Sequence, residues 1–392
     1  MDPVRNPYTP GAGTRPPALE GRGAELERFR VFVRRVLARR PEKGLIVTGL
    51  RGVGKTVLLN AFADIAESER FVNGHAEITE TADFPETIAR LSRRALLGLN
   101  PTGRIRDGVG RALGVLKAFT LNLPGGVGVS IDVDAIRGQA DTGVLEDDLP
   151  DLFVEIGEAA LDEGRGVLFL LDEIQYLSEP HLAALITAVH RVAQRALPLA
   201  MVAAGLPQLP ALAGEAKSYS ERLFDFPVIG SLSTIDALEA IEKPARELQV
   251  DYDPAASRRI VQLAEGYPYF LQEYGKHVWN AAEHSPIEVA DVQRAQPQVQ
   301  AQLDENFFRV RVDRATRAER RYMRAMAELG GGPYRSGEIA DILNVKVTSV
   351  GPTRANLISK GFIYSLSHGL SDFTVPKFDD FMRRNFPHPR EI

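Results

Sequence analysis

Gly49-Leu50-Arg51-Gly52-Val53-Gly54-Lys55-Thr56 follows a short apolar run, Leu45-Ile46-Val47-Thr48, and leads into Val57, Leu58, Ala61, Phe62 and Ile65 at helical spacing. Strand, Gly-rich loop and helix is the setting that the pattern Gly-x-x-x-x-Gly-Lys-Ser/Thr requires. Glycines let backbone N–H groups face an anion with no Cβ in the way. The helix that follows points its N-terminal dipole at the same charge. Lys55 is expected to neutralise β- and γ-phosphate oxygens, and the Thr56 hydroxyl to ligate Mg²⁺. Gly49, Arg51, Gly52, Val53, Gly54 and Val57 complete the expected phosphate-binding loop (P-loop), and the expected ligand is ATP with Mg²⁺. The alternative, a Gly turn with a surface Lys, needs an accidental match to a demanding pattern.

Downstream, Val167-Leu168-Phe169-Leu170-Leu171 reads as a buried strand that ends in Asp172-Glu173. Asp172 is expected to hold Mg²⁺ through water, and Glu173 to orient or deprotonate the attacking water. Alone, the acidic pair could simply cap the next helix. Beside a P-loop, the catalytic reading is the better one.

The rest of the chain fits an α/β architecture with a parallel sheet covered on both faces. Further strands are expected at Ala76–Thr79, Leu199–Ala204 and Phe226–Ile229. Residues 1–24, rich in Pro, Gly and Thr, read as an extended arm. Residues 25–230 form the core. Within it, 100–148 reads as an irregular insertion with hairpin strands around Phe119–Leu123 and Gly128–Val133. Residues 231–306 read as four helices, interrupted or kinked at Pro244 and Pro297, and 307–392 as a further module.

Composition is that of a globular protein, 44% hydrophobic and 25% charged. There are no cysteines, so disulfides and thiolate metal sites are excluded. No apolar run suits a membrane helix or signal peptide, and a soluble cytoplasmic protein is expected. The net charge of −5 hides an asymmetry: from Glu305 onward there are 15 Lys/Arg against 10 Asp/Glu. A basic end on an acidic body fits a polyanion partner, and equally fits solvated helix faces.

Taken together, Leu19-Glu20-Gly21-Arg22, the P-loop, Leu171-Asp172-Glu173-Ile174-Gln175, Ser220-Glu221-Arg222-Leu223-Phe224 and Gly266-Tyr267-Pro268 resemble an AAA+ or STAND-type P-loop ATPase of the origin-recognition (initiator)-like branch. The resemblance implies a P-loop core, a helical lid and a C-terminal winged helix. It places Arg22 beside the adenine, and Gly266, Tyr267 and Pro268 in a lid motif that closes on the base. It matches Arg222 to an arginine that completes a neighbour's site in ring-forming relatives, and so implies a homo-oligomer. Such enzymes carry a polar residue at the end of the fourth strand. Here none occurs before Gln208, which implies slow hydrolysis or Gln208 as a stand-in.

Residues 316–386 resemble the winged helix. Ser336 is expected to cap its second helix, Asn344 to end it in a left-handed turn, and His368-Gly369 to form the wing tip. On the third helix, about 349–359, the outer face is expected to carry Lys346, Ser349, Thr353, Arg354, Asn356 and Lys360. Such a face suits double-stranded DNA, with Arg354 and Lys360 as the leading contacts. Winged helices also dock proteins, which gives a nucleotide-controlled switch as the other reading.

Overall fold

The computed structural model describes residues 1–11, 13, 19–99, 107–122 and 133–391. Five strands make one parallel sheet: β1 (Gly44–Thr48), β2 (Phe71–Glu77), β3 (Gly166–Asp172), β4 (Leu199–Gly205) and β5 (Phe224–Asp225). Their order is β2-β3-β4-β1-β5, so β4 stands between the strand that feeds the P-loop and the strand that ends in Asp172. The register pairs Val47 with Ala204 and Leu171 with Ala203, which brings three C-terminal ends to one edge. Every residue of β1, β3 and β4 is buried, as expected for strands covered on both faces.

Alternate side chains feed two apolar layers. Leu168, Leu170, Val202 and Val47 pack with Phe29 and Phe62, on helices Gly23–Leu37 and Lys55–Ser68. Val167, Phe169, Leu171 and Met201 pack against helices Phe84–Leu99, Asp107–Leu121, Leu145–Asp162 and Glu179–Gln194. The expected strand at Phe119–Leu123 is therefore corrected: Phe119 to Leu121 end a helix whose Val115, Leu116 and Phe119 are buried. Most of the expected strand Gly128–Val133 lies outside the described residues.

The lid comprises helices Thr234–Glu247, Pro254–Ala264, Pro268–Ala281 and Val289–Gln302. Pro244 and Pro297 lie inside helices that continue past them, so neither interrupts its helix. A π-helical stretch, Leu303–Arg309, leads out of the lid. The C-terminal module follows: helix Arg317–Glu328, β6 (Tyr334–Arg335), helices Ser336–Leu343 and Val347–Ser359, β7 (Ile363–Ser367), β8 (Leu370–Phe373) and helix Phe378–Asn385. Its sheet runs β6-β8-β7, antiparallel. Asn344 ends the second helix at φ 53°. Ser336 is not that helix's cap; it is the first helical residue, and its Oγ donates to Gly369 O, in the turn between β7 and β8, 3.2 Å away.

Lid and module share one core. Tyr269 stacks on Phe307 at 4.4 Å, Phe307 meets Phe308 edge-on at 5.3 Å, and Phe308 stacks on Phe381 at 5.1 Å. The N-terminal arm joins the same core. It makes a 3-10 turn at Pro3–Arg5, then buries Tyr8 against Trp279 and Tyr252, so it is held on the lid. Among the described residues, no helix is long and apolar enough to cross a membrane.

Candidate nucleotide-binding site

The P-loop leaves the end of β1 through three glycines with distinct duties. A Cβ on Gly49 would overlap the Ile229 carbonyl oxygen, so the close approach of these two backbone segments requires glycine there. Gly52 and Gly54 sit at φ 88° and 92°, where a side chain is strained. A Cβ on Gly54 would meet nothing within 4 Å, because that side of the loop opens into a cavity. Lys55 is buried, and its Nζ donates to Gly49 O at 3.1 Å and Leu50 O at 3.0 Å. Burial pushes the ammonium below its ordinary value, against the pull of Glu173 and Asp172. Asp172 is buried too; its Oδ2 accepts from Thr56 Oγ1 at 2.5 Å and its Oδ1 from the Glu173 amide at 2.9 Å. Burial raises the Asp172 carboxyl above its usual range, against the lowering effect of the Thr56 bond.

A cation and an anion thus lie desolvated on the floor of a cavity of about 490 Å³, which is within the roughly 300–1,000 Å³ of small-molecule sites. Phosphate oxygens beside Lys55 and a divalent cation beside Thr56 and Asp172 would each restore solvation lost on burial. The residues present therefore fit Mg²⁺ and a polyphosphate.

Glu173 stands at φ 56°, a left-handed conformation uncommon for a non-glycine residue and often found at functional sites. Its Oε2 lies 3.5 Å from Arg51 Nη2 and accepts from Gln175 Nε2 at 2.5 Å. Gln175 Oε1 accepts from the Leu206 amide at 3.1 Å, just past β4. The polar group at the end of the fourth strand is thus Gln175, reaching across from the β3 side. Gln208 heads the helix Leu209–Ala216 and does not line the cavity; its Oε1 is buried and without a hydrogen bond. Gly205 accommodates this bridge, because a Cβ there would overlap Gln175 Oε1.

Arg22, Arg51, Gly52, Val53, Gly54, Lys55, Thr56, Val57, Asp172, Glu173 and Pro268 all line the cavity. Arg22 is buried, and its Nη2 donates to Val53 O at 3.2 Å and Gly230 O at 2.6 Å, so it also clamps the loop. Tyr267 lies behind the loop and is not among the residues that line the cavity: it is buried, and its hydroxyl donates to the Arg51 carbonyl. Gly266 pairs with Leu232 through the backbone, and a Cβ there would come within 2.6 Å of Leu232 O. The sequence reading missed Thr9, Gly11 and Gly13 of the arm, Gln175, and Arg311 beyond the lid. Of these, Gln175 had a signal, its place three residues after Asp172; the others had none.

Arg222 is exposed, in the turn Ser220–Leu223 before β5. Phe224 pairs with Gly44, the first residue of β1, so Arg222 lies at the opposite end of β1 from the P-loop and outside this chain's own cavity. The neighbouring Asp225 is taken by Arg28 and by Lys43.

On the third helix of the C-terminal module, Lys346, Ser349 and Asn356 are exposed. The two leading DNA candidates are tied up inside the module. Arg354 Nη2 donates to Ser365 Oγ at 2.9 Å and Leu370 O at 3.2 Å, and Lys360 pairs with the buried Glu319 at 2.9 Å. Thr353 is half-buried. The module also touches the site directly, for the Arg51 amide of the P-loop donates to Thr374 O at 3.0 Å.

The strand order and this loop define a P-loop NTPase fold. Residues 18–202 match the AAA ATPase domain family, and residues 305–382 match a domain of unknown function. Among solved structures, a Walker-type ATPase of Pyrococcus abyssi shares the fold, with a TM-score of 0.58, 16% identity, and coverage of 94% of this chain and 97% of that one. Looser likenesses include Orc1 of Aeropyrum pernix in complex with DNA (TM-score 0.44, 14% identity, covering 94% of each chain) and a RuvB variant of Thermotoga maritima (0.46, 15%, covering 96% and 100%). No curated protein matches the chain.

Proposed function

We propose that this protein binds and hydrolyses ATP, and that nucleotide state sets how its C-terminal module sits on the P-loop, as in a nucleotide-controlled switch. The observation that carries the reading is the bond from the Arg51 amide to Thr374 O, made by the same loop that would cradle the phosphates. Lys55 would hold the phosphates, and Glu173, aimed by Arg51 and Gln175, would orient a water. Mg²⁺, held by Thr56 and Asp172, would supply charge neutralisation at the β- and γ-phosphates.

The module's output is a docking surface for a protein partner. Two of the three cations in 346–360 are spent on internal contacts, and the exposed Val345 and Val347 flank the third. A second reading, double-stranded DNA, is favoured by the basic surplus after Glu305 and by exposed Lys346 and Ser349. Steady-state ATP turnover, alone and with random duplex DNA at low and moderate salt, separates the two. Several-fold stimulation with affinity that falls steeply with salt supports DNA. Slow turnover that ignores DNA supports the switch. No ATP binding under any condition refutes both.

A further inference from the structure

We propose that Tyr8 is a positioning residue for the nucleotide. Seated in the lid, it holds Thr9, Pro10 and Gly11 as a wall at the base end of the cavity, and so sets how tightly an adenine nucleotide is kept. This rests on the ATP reading above.

The arm is fastened along the lid residue by residue. Trp279 Nε1 donates to Asp2 O at 3.0 Å, and Asn6 Nδ2 donates to Lys276 O at 2.9 Å and to Asn280 Oδ1 at 2.8 Å. Tyr8 is the buried anchor. Its ring meets Trp279 edge-on at 6.5 Å. Its hydroxyl donates to Ile241 O and, with its one proton spent there, accepts from Tyr252 Oη at 3.0 Å. Gly275 makes the seat, because a Cβ there would come within 2.5 Å of the Tyr8 ring. One buried aromatic side chain holds such a segment more firmly than the exposed bonds around it.

From this anchor the chain enters the cavity at once. The Thr9 amide donates to Gln272 Oε1 at 3.1 Å, and Thr9, Pro10 and Gly11 line the cavity. Their place in it follows from their partners. Ile241, which holds Tyr8, adjoins Ala240, and Gln272 adjoins Leu271; with Leu19 and Leu232 these supply the apolar lining suited to a base. Thr9 and Gly11 are exposed and Pro10 is half-buried, which leaves surface for a ligand to cover. Further on, Asn60 Nδ2, on the helix that follows the P-loop, donates to Gly13 O at 3.2 Å, a second tether on the core. An arm that only filled out the lid would account for Tyr8, but not for the next three residues lining a ligand-sized cavity. Without the anchor, that wall would have to be ordered anew at each binding event, and affinity would fall with the fraction of time it stands in place.

The test compares full-length wild type, Tyr8→Ala, Tyr8→Phe and Gly275→Ala. Binding of Mg·ADP, a Mg-bound non-hydrolysable ATP analogue and Mg·tripolyphosphate is read by competition against a fluorescent nucleotide, with urea unfolding on each variant. Gly275 lines no part of the cavity, so Gly275→Ala displaces the ring without altering the site. Tyr8→Ala and Gly275→Ala should each weaken ADP and the ATP analogue by about 5- to 20-fold, to the same extent for both. Tripolyphosphate, which has no base, should bind as before. Tyr8→Phe, which keeps the ring, should recover most of the affinity, and the double Ala variant should be no weaker than either single one. Unchanged nucleotide affinity in a folded Ala variant, an additive loss in the double variant, or tripolyphosphate weakened as far as the nucleotides overturns the assignment. If Tyr8→Ala does not fold, Gly275→Ala decides by the same comparison. A wild type that binds neither nucleotide overturns the ATP reading itself.

Discussion

Replacing Gln175 by Leu should separate positioning from binding. The side chain makes two bonds, one to Glu173 Oε2 at 2.5 Å and one from the Leu206 amide at 3.1 Å. Leu206 is fully buried, so its amide would lose its acceptor in a dry place, which costs about 1–3 kcal/mol of folding stability. The bond to the Glu173 carboxylate is charge-assisted and of about 1.5–3 kcal/mol. If it serves to aim Glu173, its loss appears in the barrier. At about 1.4 kcal/mol per decade, turnover falls roughly 10- to 100-fold. Gln175 does not line the cavity, so affinity for a non-hydrolysable ATP analogue should stay within about twofold. Phosphate release, nucleotide competition and urea unfolding on the same preparation give the three numbers. A folded variant with wild-type turnover, or one that loses affinity as far as it loses turnover, refutes the reasoning. Gln175→Glu, which sets a second carboxylate against Glu173, should be slower still.

Other expectations follow from the same contacts. Lys55→Ala should weaken ATP binding by about 100-fold or more, read by nucleotide competition, because the buried ammonium is the cation on the cavity floor. Lys360→Met should lower stability to urea by about 1–3 kcal/mol by leaving the buried Glu319 without its cation. It should leave any salt-dependent DNA affinity unchanged, and a reduced salt slope would show that Lys360 contacts phosphate after all. Arg222→Ala should slow ATP turnover only at concentrations where the protein self-associates. An equal loss in the dilute monomer would place Arg222 in its own site, against the strand register.

The P-loop was legible because its chemistry is local: a strand, glycines at fixed offsets and a lysine lie within one short segment. β3 was legible for the same reason, five apolar residues before two acids. What the sequence hid was every contact made over distance. The helix Asp107–Leu121 carries three glycines, at 108, 110 and 114, and reads as irregular; burial of Val115, Leu116 and Phe119 overrides that weak propensity. Gln175 followed the acidic pair in the sequence with no role of its own, because the contact it makes depends on β4 lying next to β3. Arg354 and Lys360 looked solvent-facing by helical spacing, yet both side chains are long enough to fold back onto the wing and onto Glu319. Tyr8, in an arm without periodicity, gave no sign that it would be buried.

The aromatic run through Tyr269, Phe307, Phe308 and Phe381 limits how this polypeptide can be dissected. A fragment cut after residue 304 would keep Phe270 and Tyr269 but strip away the rings that cover them. An isolated 305–391 fragment would lose Tyr269 and Phe270 from the faces of Phe307 and Phe308. Neither piece would behave well by itself, so recombinant shortcuts would report on sticky remnants. A change at Phe308 in this module would have to be matched at Phe270 and Phe307, the rings that seat it.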